Sequence, residues 1–244
     1  MNPSTLIVVC GYTGDAGQID ALLPMFEHHQ RPILILSPED SKIEKVGHHL
    51  CQWAGKRAYI GQDSLDRQHE HMALALEKPF EWYLFNDADS FCLTPEIPAD
   101  YYRYKDTVWS NEVADFRIPG ETWTDANGSV TWPDNYHAGF PLIAMQPPYF
   151  MSRWALEKMV RFGNGIKACP ITPFIDWYMV QCVVAAGLRH FPFRDRFGKL
   201  EGASCETITE NGLLTMERCI REGARFIHSV KSKESLDRLL LSKP

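Results

Sequence analysis

Residues 82–93, Trp-Tyr-Leu-Phe-Asn-Asp-Ala-Asp-Ser-Phe-Cys-Leu, put two carboxylates, Asp87 and Asp89, two positions apart directly behind an apolar run. In an extended chain alternate side chains share a face, so the pair aims at one spot. Two carboxylates converging at the end of a buried strand repel each other and resist desolvation unless a cation compensates them. A divalent metal with hard oxygen ligands is the simplest such partner. The competing reading is a loop, Asn86 to Ser90, that caps the following segment through Asx turns. An EF-hand is excluded, because its spaced acids and twelfth-position Glu are missing.

Other residues could join that pair. Gly11, Gly14 and Gly17 form a glycine-rich turn that is neither the GxGxxG dinucleotide fingerprint nor a P-loop. It reads either as a ligand cradle or as a tight entry to a helix. Residues 11–17 carry no Lys or Arg, unlike a loop that must hold a triphosphate. The turn Ser37-Pro38-Glu39-Asp40 could read a base edge through Asp40, or be turn chemistry alone. Arg67 lies on the helix before the acid motif, as a phosphate contact or an ordinary exposed arginine. Asp176 starts a helix, where the macrodipole already favours an acid. Trp132, His137 and Trp177 offer ring faces suited to a sugar, or core packing.

Positioning these groups is the work of an alternating pattern. Leu6–Cys10, Pro32–Leu36 and Trp82–Phe85 are continuous apolar runs, as expected for strands buried on both faces. Helical patterns follow Gly17 and span about 64–77. This repetition predicts an α/β fold with a mostly parallel central sheet flanked by helices. From about residue 104 the pattern changes, and Asn127-Gly128 between two Thr/Trp-bearing segments predicts a hairpin or loop inserted at the sheet's edge. Pro147-Pro148 breaks the chain before a helix over 152–162 with Ser152 as N-cap. Further helices are expected at about 173–186, stopping at Gly187, and 206–222, then a short strand at 225–228 and a charged tail.

The 244 residues suit one domain, 1–244, and the 45% hydrophobic and 23% charged composition is that of an ordinary globular protein. The net charge of −6 gives no global attraction to nucleic acid or anionic membrane. Residues 189–244 hold 11 Lys/Arg against 8 Asp/Glu, so this part carries +3 and the remainder −9. Seven scattered cysteines without a CxxC pair signal neither zinc site nor disulfide framework, and a reducing, cytoplasmic setting is expected. No apolar run is long enough to span a membrane.

The chain resembles the glycosyltransferases of the GT-A superfamily, Rossmann-like enzymes that use nucleotide sugars. The likeness covers about residues 6–231 and rests on five segments in the family's order. These are the first strand ending in Gly11-Tyr12-Thr13, the Asp87-Ala88-Asp89 motif, Pro148-Tyr149-Phe150-Met151-Ser152-Arg153, Thr172-Pro173-Phe174-Ile175-Asp176, and Phe226-Ile227-His228-Ser229-Val230-Lys231. Pro147-Pro148 stands where the family has glycines, and Ile175 where it has a second acid. The resemblance implies a nucleotide-sugar-binding half (1–103) and an acceptor-side half (104–244).

It further implies Mn²⁺ or Mg²⁺ held by Asp89 and His228, with Asp87 on the ribose or a metal-bound water. The nucleotide would lie by Gly11, Tyr12 and Thr13, Lys231 and Arg67 would meet the diphosphate, and Asp176 would be the general base of an inverting hexosyl or pentosyl transfer. The acceptor hydroxyl could belong to a saccharide, a protein, a small molecule or a modified DNA base. The alternatives are a nucleotidyltransferase and a non-catalytic nucleotide-sugar-binding protein. The metal-site reading requires Asp89 and His228, some 140 residues apart in sequence, to meet around one cation; otherwise the pair at 87–89 is a loop cap.

Overall fold

A computed structural model describes residues 4–11, 16–55, 61–114, 122–125, 128–131, 143–168 and 175–242. In chain order the elements are β1 (Thr5–Cys10), α1 (Ala16–Glu27), β2 (Ile33–Ser37), β3 (Lys45–Val46), β4 (His49–Trp53), α2 (Gln62–Leu76), β5 (Trp82–Asp87) and β6 (Phe91–Cys92). They continue with β7 (Thr107–Ala114), β8 (Thr122–Asp125), β9 (Gly128–Thr131), β10 (Ile143–Ser152), α3 (Arg153–Ala168), α4 (Ile175–Ala185) and β11 (Arg189–Pro192). The last are β12 (Gly202–Ser204), α5 (Glu210–Arg221), β13 (Phe226–His228) and α6 (Lys233–Leu240).

The central sheet runs β11-β7-β10-β5-β1-β2-β4-β3. β5, β1, β2 and β4 are mutually parallel, as are β11 and β7, while β10 is antiparallel to both its neighbours. The apolar runs form the middle of the sheet because both its faces are covered. Along β1, Ile7 and Val9 pack into one cluster with Ile19, Leu22 and Phe26 of α1, Met216 and Ile220 of α5, and Leu236 and Leu239 of α6. Leu6, Val8 and Cys10 enter the opposite cluster with Leu65 and Met72 of α2, Leu156 and Met159 of α3, and Tyr178 and Met179 of α4. The result is a sheet between two helical layers. Each fully buried Leu, Ile or Phe in it is worth roughly 1.5–3 kcal/mol over exposure.

A second, three-stranded sheet, β12-β13-β6, packs against the first. An aromatic knot fastens it: Phe193 and Phe226 stack at 3.7 Å, and Tyr101 meets both edge-on along with Trp109 and Phe150. The Tyr101 hydroxyl donates to Glu201 Oε2 at 2.5 Å, and Arg225 pairs with Glu201 Oε1 at 2.8 Å. The carboxylate just before β12 is therefore held from both sides.

The expected hairpin forms, with β8 and β9 pairing as a separate two-stranded sheet across positions 126–127. Its flanks, however, belong to the central sheet. Gln146-Pro147-Pro148 reads as a breaker, yet β10 runs through it, because the β10–β7 register shifts between Gln146 and Phe150 and no ladder donor is asked of the prolines. Ser152 caps α3 as expected, accepting from the Ala155 amide at 3.1 Å. The charged tail is a helix instead. Ser232 caps α6 and Leu236 and Leu239 are buried, while the Lys233–Asp237 pair and its neighbours mask so short a periodicity.

Buried histidines make the fold sensitive to pH: burial lowers His29 to about 4, and two more behave likewise. Burial, reinforced by nearby Arg67, lowers His71 of α2 to about 3, and burial lowers His190 of β11 to about 4. Both depart from an ordinary value of 6.5 and stay neutral in the folded chain. Below pH 6.5 the unfolded chain takes up protons that the folded chain refuses, so stability falls as pH drops toward 4, by about 1.4 kcal/mol per unit for each histidine. Denaturant titrations should show this loss between pH 7 and pH 5. His190→Gln, which keeps a partner for the Ser110 hydroxyl, should shrink it by about 1–2 kcal/mol; an unchanged slope would count against His190.

Candidate metal centre

β5 ends at Asp87, in register with Cys10 at the end of parallel β1. The acid pair thus stands at the carboxyl edge of the central strands, where open α/β sheets bind ligands. The chain turns sharply there, and Ser90 helps to close the turn: its hydroxyl accepts from the Asp87 amide at 2.8 Å, and its own amide donates to the Asp87 carbonyl at 3.1 Å.

β6 follows the turn at once and pairs antiparallel with β13, setting Phe91 opposite Ile227. One step further along this register brings Ser90 level with His228. Ser229 then adopts φ of 75°, in the left-handed region that a residue with a Cβ enters at a cost of roughly 1–2 kcal/mol. The bend lets the Val230 amide donate to the Asp89 carbonyl at 3.0 Å and carries Lys231 Nζ to 2.6 Å from Asp89 Oδ2. Thr207 holds the bend, since its hydroxyl donates to the Ser229 carbonyl at 3.2 Å and accepts from the Lys231 amide at 3.0 Å.

Asp87, Asp89 and His228 consequently offer one donor atom each, all within 4.8 Å of one another. His228 Nε2 is 3.6 Å from Asp89 Oδ1. Burial lowers the His228 pKa more than Asp89 raises it, which favours the neutral imidazole a metal needs. Two carboxylates and one imidazole suit Mn²⁺, which accepts oxygen and nitrogen together, and leave room for further oxygen ligands in an octahedral shell.

The remaining expectations divide. Gly11 sits beside the site at the end of β1, its amide donating to the Leu36 carbonyl at 2.8 Å. Tyr12, Thr13, Trp132, His137 and the Asp40 side chain lie outside the described residues. Arg67 is not an exposed arginine: it is 1% accessible, and its stem packs against Gly55, where a Cβ would come within 2.7 Å. The Cys10 thiol is pushed up by burial and then by Asp87, while Arg67 opposes this, so the buried guanidinium lies near the same strand end. Trp177 is buried in α4, and Lys231 reaches the acid pair directly.

Asp176 is in the first turn of α4, and Gln146 Nε2 lies 3.4 Å from its Oδ2. Gln146 Oε1 accepts from the Ser204 hydroxyl at 2.6 Å, and Ser204 Oγ is 2.9 Å from His228 Nδ1. Sequence reasoning missed both Gln146 and Ser204. Gln146 precedes the two prolines that argue against a strand, and Ser204 belongs to a three-residue strand with no periodicity. Only the β12–β13 register, which sets Ser204 level with His228, brings them to the site.

No protein-family model matches the chain, and no curated protein matches it by sequence. Solved structures similar to it include a glycosyltransferase involved in the glycosylation of the major capsid of PBCV-1, with a TM-score of 0.45 and 16% identity over 96% of this chain and 98% of that one. The galactosyltransferase LgtC in complex with donor and acceptor sugar analogues gives 0.47 and 9%, over 98% and 96%. The inositol-1-phosphate CTP transferase from T. maritima gives 0.39 and 10%, over 80% and 88%. Likenesses this distant do not choose between sugar and nucleotidyl transfer.

The geometry itself makes a prediction. Mn²⁺ should raise the melting temperature of the wild type, and Asp89→Ala should abolish that rise while His228→Ala reduces it. A wild-type-sized Mn²⁺ shift in Asp89→Ala would place the cation elsewhere.

Proposed function

We propose that the chain is a metal-dependent glycosyltransferase of the GT-A type, moving a hexosyl or pentosyl group from a nucleotide-diphosphate sugar to an acceptor hydroxyl. The observation that carries this reading is the convergence of Asp87, Asp89 and His228 at the carboxyl ends of β1 and β5. Asp89 and His228 would hold Mn²⁺ or Mg²⁺, with Asp87 serving the ion or the donor's ribose. When bound, the cation takes up negative charge on the departing nucleoside diphosphate. Lys231, next to Asp89, supplies a second positive charge on the same side, and Gly11, at the end of β1, marks where the nucleotide would lie.

Asp176 is the proposed general base, removing the acceptor's proton as the hydroxyl attacks, which gives inversion. A base must come within about 3 Å of that hydroxyl. The +3 segment after residue 188 keeps a hydroxylated DNA base among the possible acceptors, beside saccharides, proteins and small molecules. A DNA acceptor would show binding that weakens steeply with salt. The described cysteines are all free, which fits the cytoplasmic setting proposed here, and no helix among the described residues is long and apolar enough to cross a membrane. Nucleotidyl transfer remains the second reading; the lack of Lys or Arg in residues 11–17 weighs against it.

A thermal-shift screen of nucleotide sugars, nucleoside diphosphates and nucleoside triphosphates, with and without Mn²⁺, tests the assignment. Stabilisation by a nucleotide sugar that needs the metal, with slow donor hydrolysis lost in Asp89→Ala, is the expected result. Stabilisation without any turnover would make the chain a binder, and a response to triphosphates alone would make it a nucleotidyltransferase. Asp176→Asn should lower kcat by roughly 100-fold or more while leaving the Mn²⁺ shift intact; retained kcat would remove Asp176 from the base role.

A further inference from the structure

The contacts between the metal centre and Asp176 form one hydrogen-bond chain, and each link has a single allowed polarity. The Gln146 amide oxygen can only accept, so at 2.6 Å it takes the one proton of the Ser204 hydroxyl. Ser204 Oγ, its proton spent, can only accept from His228 Nδ1 at 2.9 Å. The imidazole proton therefore sits on Nδ1. Nε2, the nitrogen facing Asp89, presents a lone pair. At the other end the Gln146 amide NH₂ points its donor at Asp176 Oδ2 across 3.4 Å, a long contact that requires an accepting carboxylate oxygen. Turning the amide over would set its oxygen against that carboxylate and its NH₂ toward Ser204, so both ends agree on one orientation.

We infer that Ser204 and Gln146 are positioning residues: Ser204 selects the nitrogen that His228 offers a cation, and Gln146 holds the carboxylate of Asp176 in line with the same chain. The part concerning Asp176 rests on the glycosyl-transfer reading above, whereas the His228 tautomer stands on the hydrogen bonds alone. The secondary structure explains why these two residues do the work. β12 and β13 are parallel with Ser204 opposite His228, and β10 carries Gln146 at the shift in its register with β7. The chain thus crosses from the small sheet to the central sheet and on to the start of α4. It ties His228 to Asp176 through the side chains of Ser204 and Gln146.

The two parts have separate readouts. In metal-free protein, nitrogen-resolved NMR of the His228 ring should find the proton on Nδ1; a proton on Nε2 overturns the assignment whatever the catalysis. Mn²⁺ affinity, read from the EPR signal of the free ion, should weaken roughly 10- to 100-fold in Ser204→Ala and return to within a few-fold of wild type in Ser204→Thr. Gln146→Glu keeps an oxygen for the Ser204 proton but sets a second carboxylate against Asp176. It should leave Mn²⁺ affinity near wild type while kcat falls and the donor KM holds. Wild-type Mn²⁺ affinity in Ser204→Ala, or unchanged kcat in Gln146→Glu, would overturn the positioning roles. A wild type that binds Mn²⁺ with Nδ1 protonated but processes no nucleotide sugar would instead defeat the glycosyl-transfer reading and leave the tautomer standing.

A second cluster stands apart from this site. Glu27 ends α1, His48 lies on the β3–β4 turn at the sheet's edge and His49 opens β4, and Gly47 at φ 55° bends the chain there and donates its amide to Asp20 Oδ1 at 3.1 Å. Glu27 Oε1 is 3.5 Å from His48 Nδ1 and 3.1 Å from His49 Nε2. Tetrahedral zinc with bonds of about 2.0–2.1 Å needs ligand separations of roughly 3.4 Å. We propose that these three side chains bind Zn²⁺ or a similar imidazole-seeking cation, clipping the β3–β4 turn to α1. Calorimetry with Zn²⁺ should be run in the Asp89→Ala background, which removes the first site. One equivalent should bind, and His48→Ala with His49→Ala should lose it. No binding in Asp89→Ala, or binding that survives the double change, would overturn the proposal.

Discussion

Two aspartates at the end of a strand buried on both faces form a local excess of negative charge that the protein interior cannot hold alone. The architecture around them meets that constraint. Asp87 and Asp89 are fixed by the apolar run that makes β5 central, so any compensation must be brought to them. The chain brings it from far away in sequence through the short pairing of β6 with β13, which delivers an imidazole and an ammonium to the same turn. Lys231 Nζ stands 2.6 Å from Asp89 Oδ2, a direct ion pair across that sequence distance.

That arrangement explains why a three-residue strand warrants so much support. Ser229 holds a left-handed conformation, Thr207 locks it with two hydrogen bonds, and the Phe193–Phe226 stack and Tyr101 anchor the sheet behind it. Unfavourable backbone geometry persists only where the surroundings over-determine it. Here the knot of aromatic side chains and the doubly held Glu201 supply that determination.

How much of this could be read from the chain alone depended on the range of the interactions. The strands Leu6–Cys10 and Trp82–Phe85 and the helices after Gly17 and Gly61 were legible, since continuous apolar runs and helical periodicity are local signals. The acid pair was legible because it directly follows an apolar run, but the strand ends at Asp87, and a turn rather than extended alternation carries Asp89 to the site. His228 and Lys231 could be singled out only through family likeness, as a lone histidine after two apolar residues carries no signal of its own. Gln146 and Ser204 were invisible: one sits before two prolines and the other in a strand too short to show alternation, and both acquire meaning only through register. Arg67 was visible as a residue, but the choice between a phosphate contact and an exposed arginine stayed open, because its helix's amphipathic pattern does not reveal that Gly55 opens space for its stem.

The pairing of β6 with β13 also sets an order in time. The carboxylates are made early and can fold into β5 beside β1 while most of the chain is still being synthesised. The histidine and lysine that complete the site emerge some 140 residues later, so a nascent or prematurely ended chain can own a finished central strand pair and still have no complete cation site. Competence then arrives in a single step, when residues 226–231 have left the ribosome and zip onto β6. The described cation cluster is therefore a property of the finished chain and not of its first half.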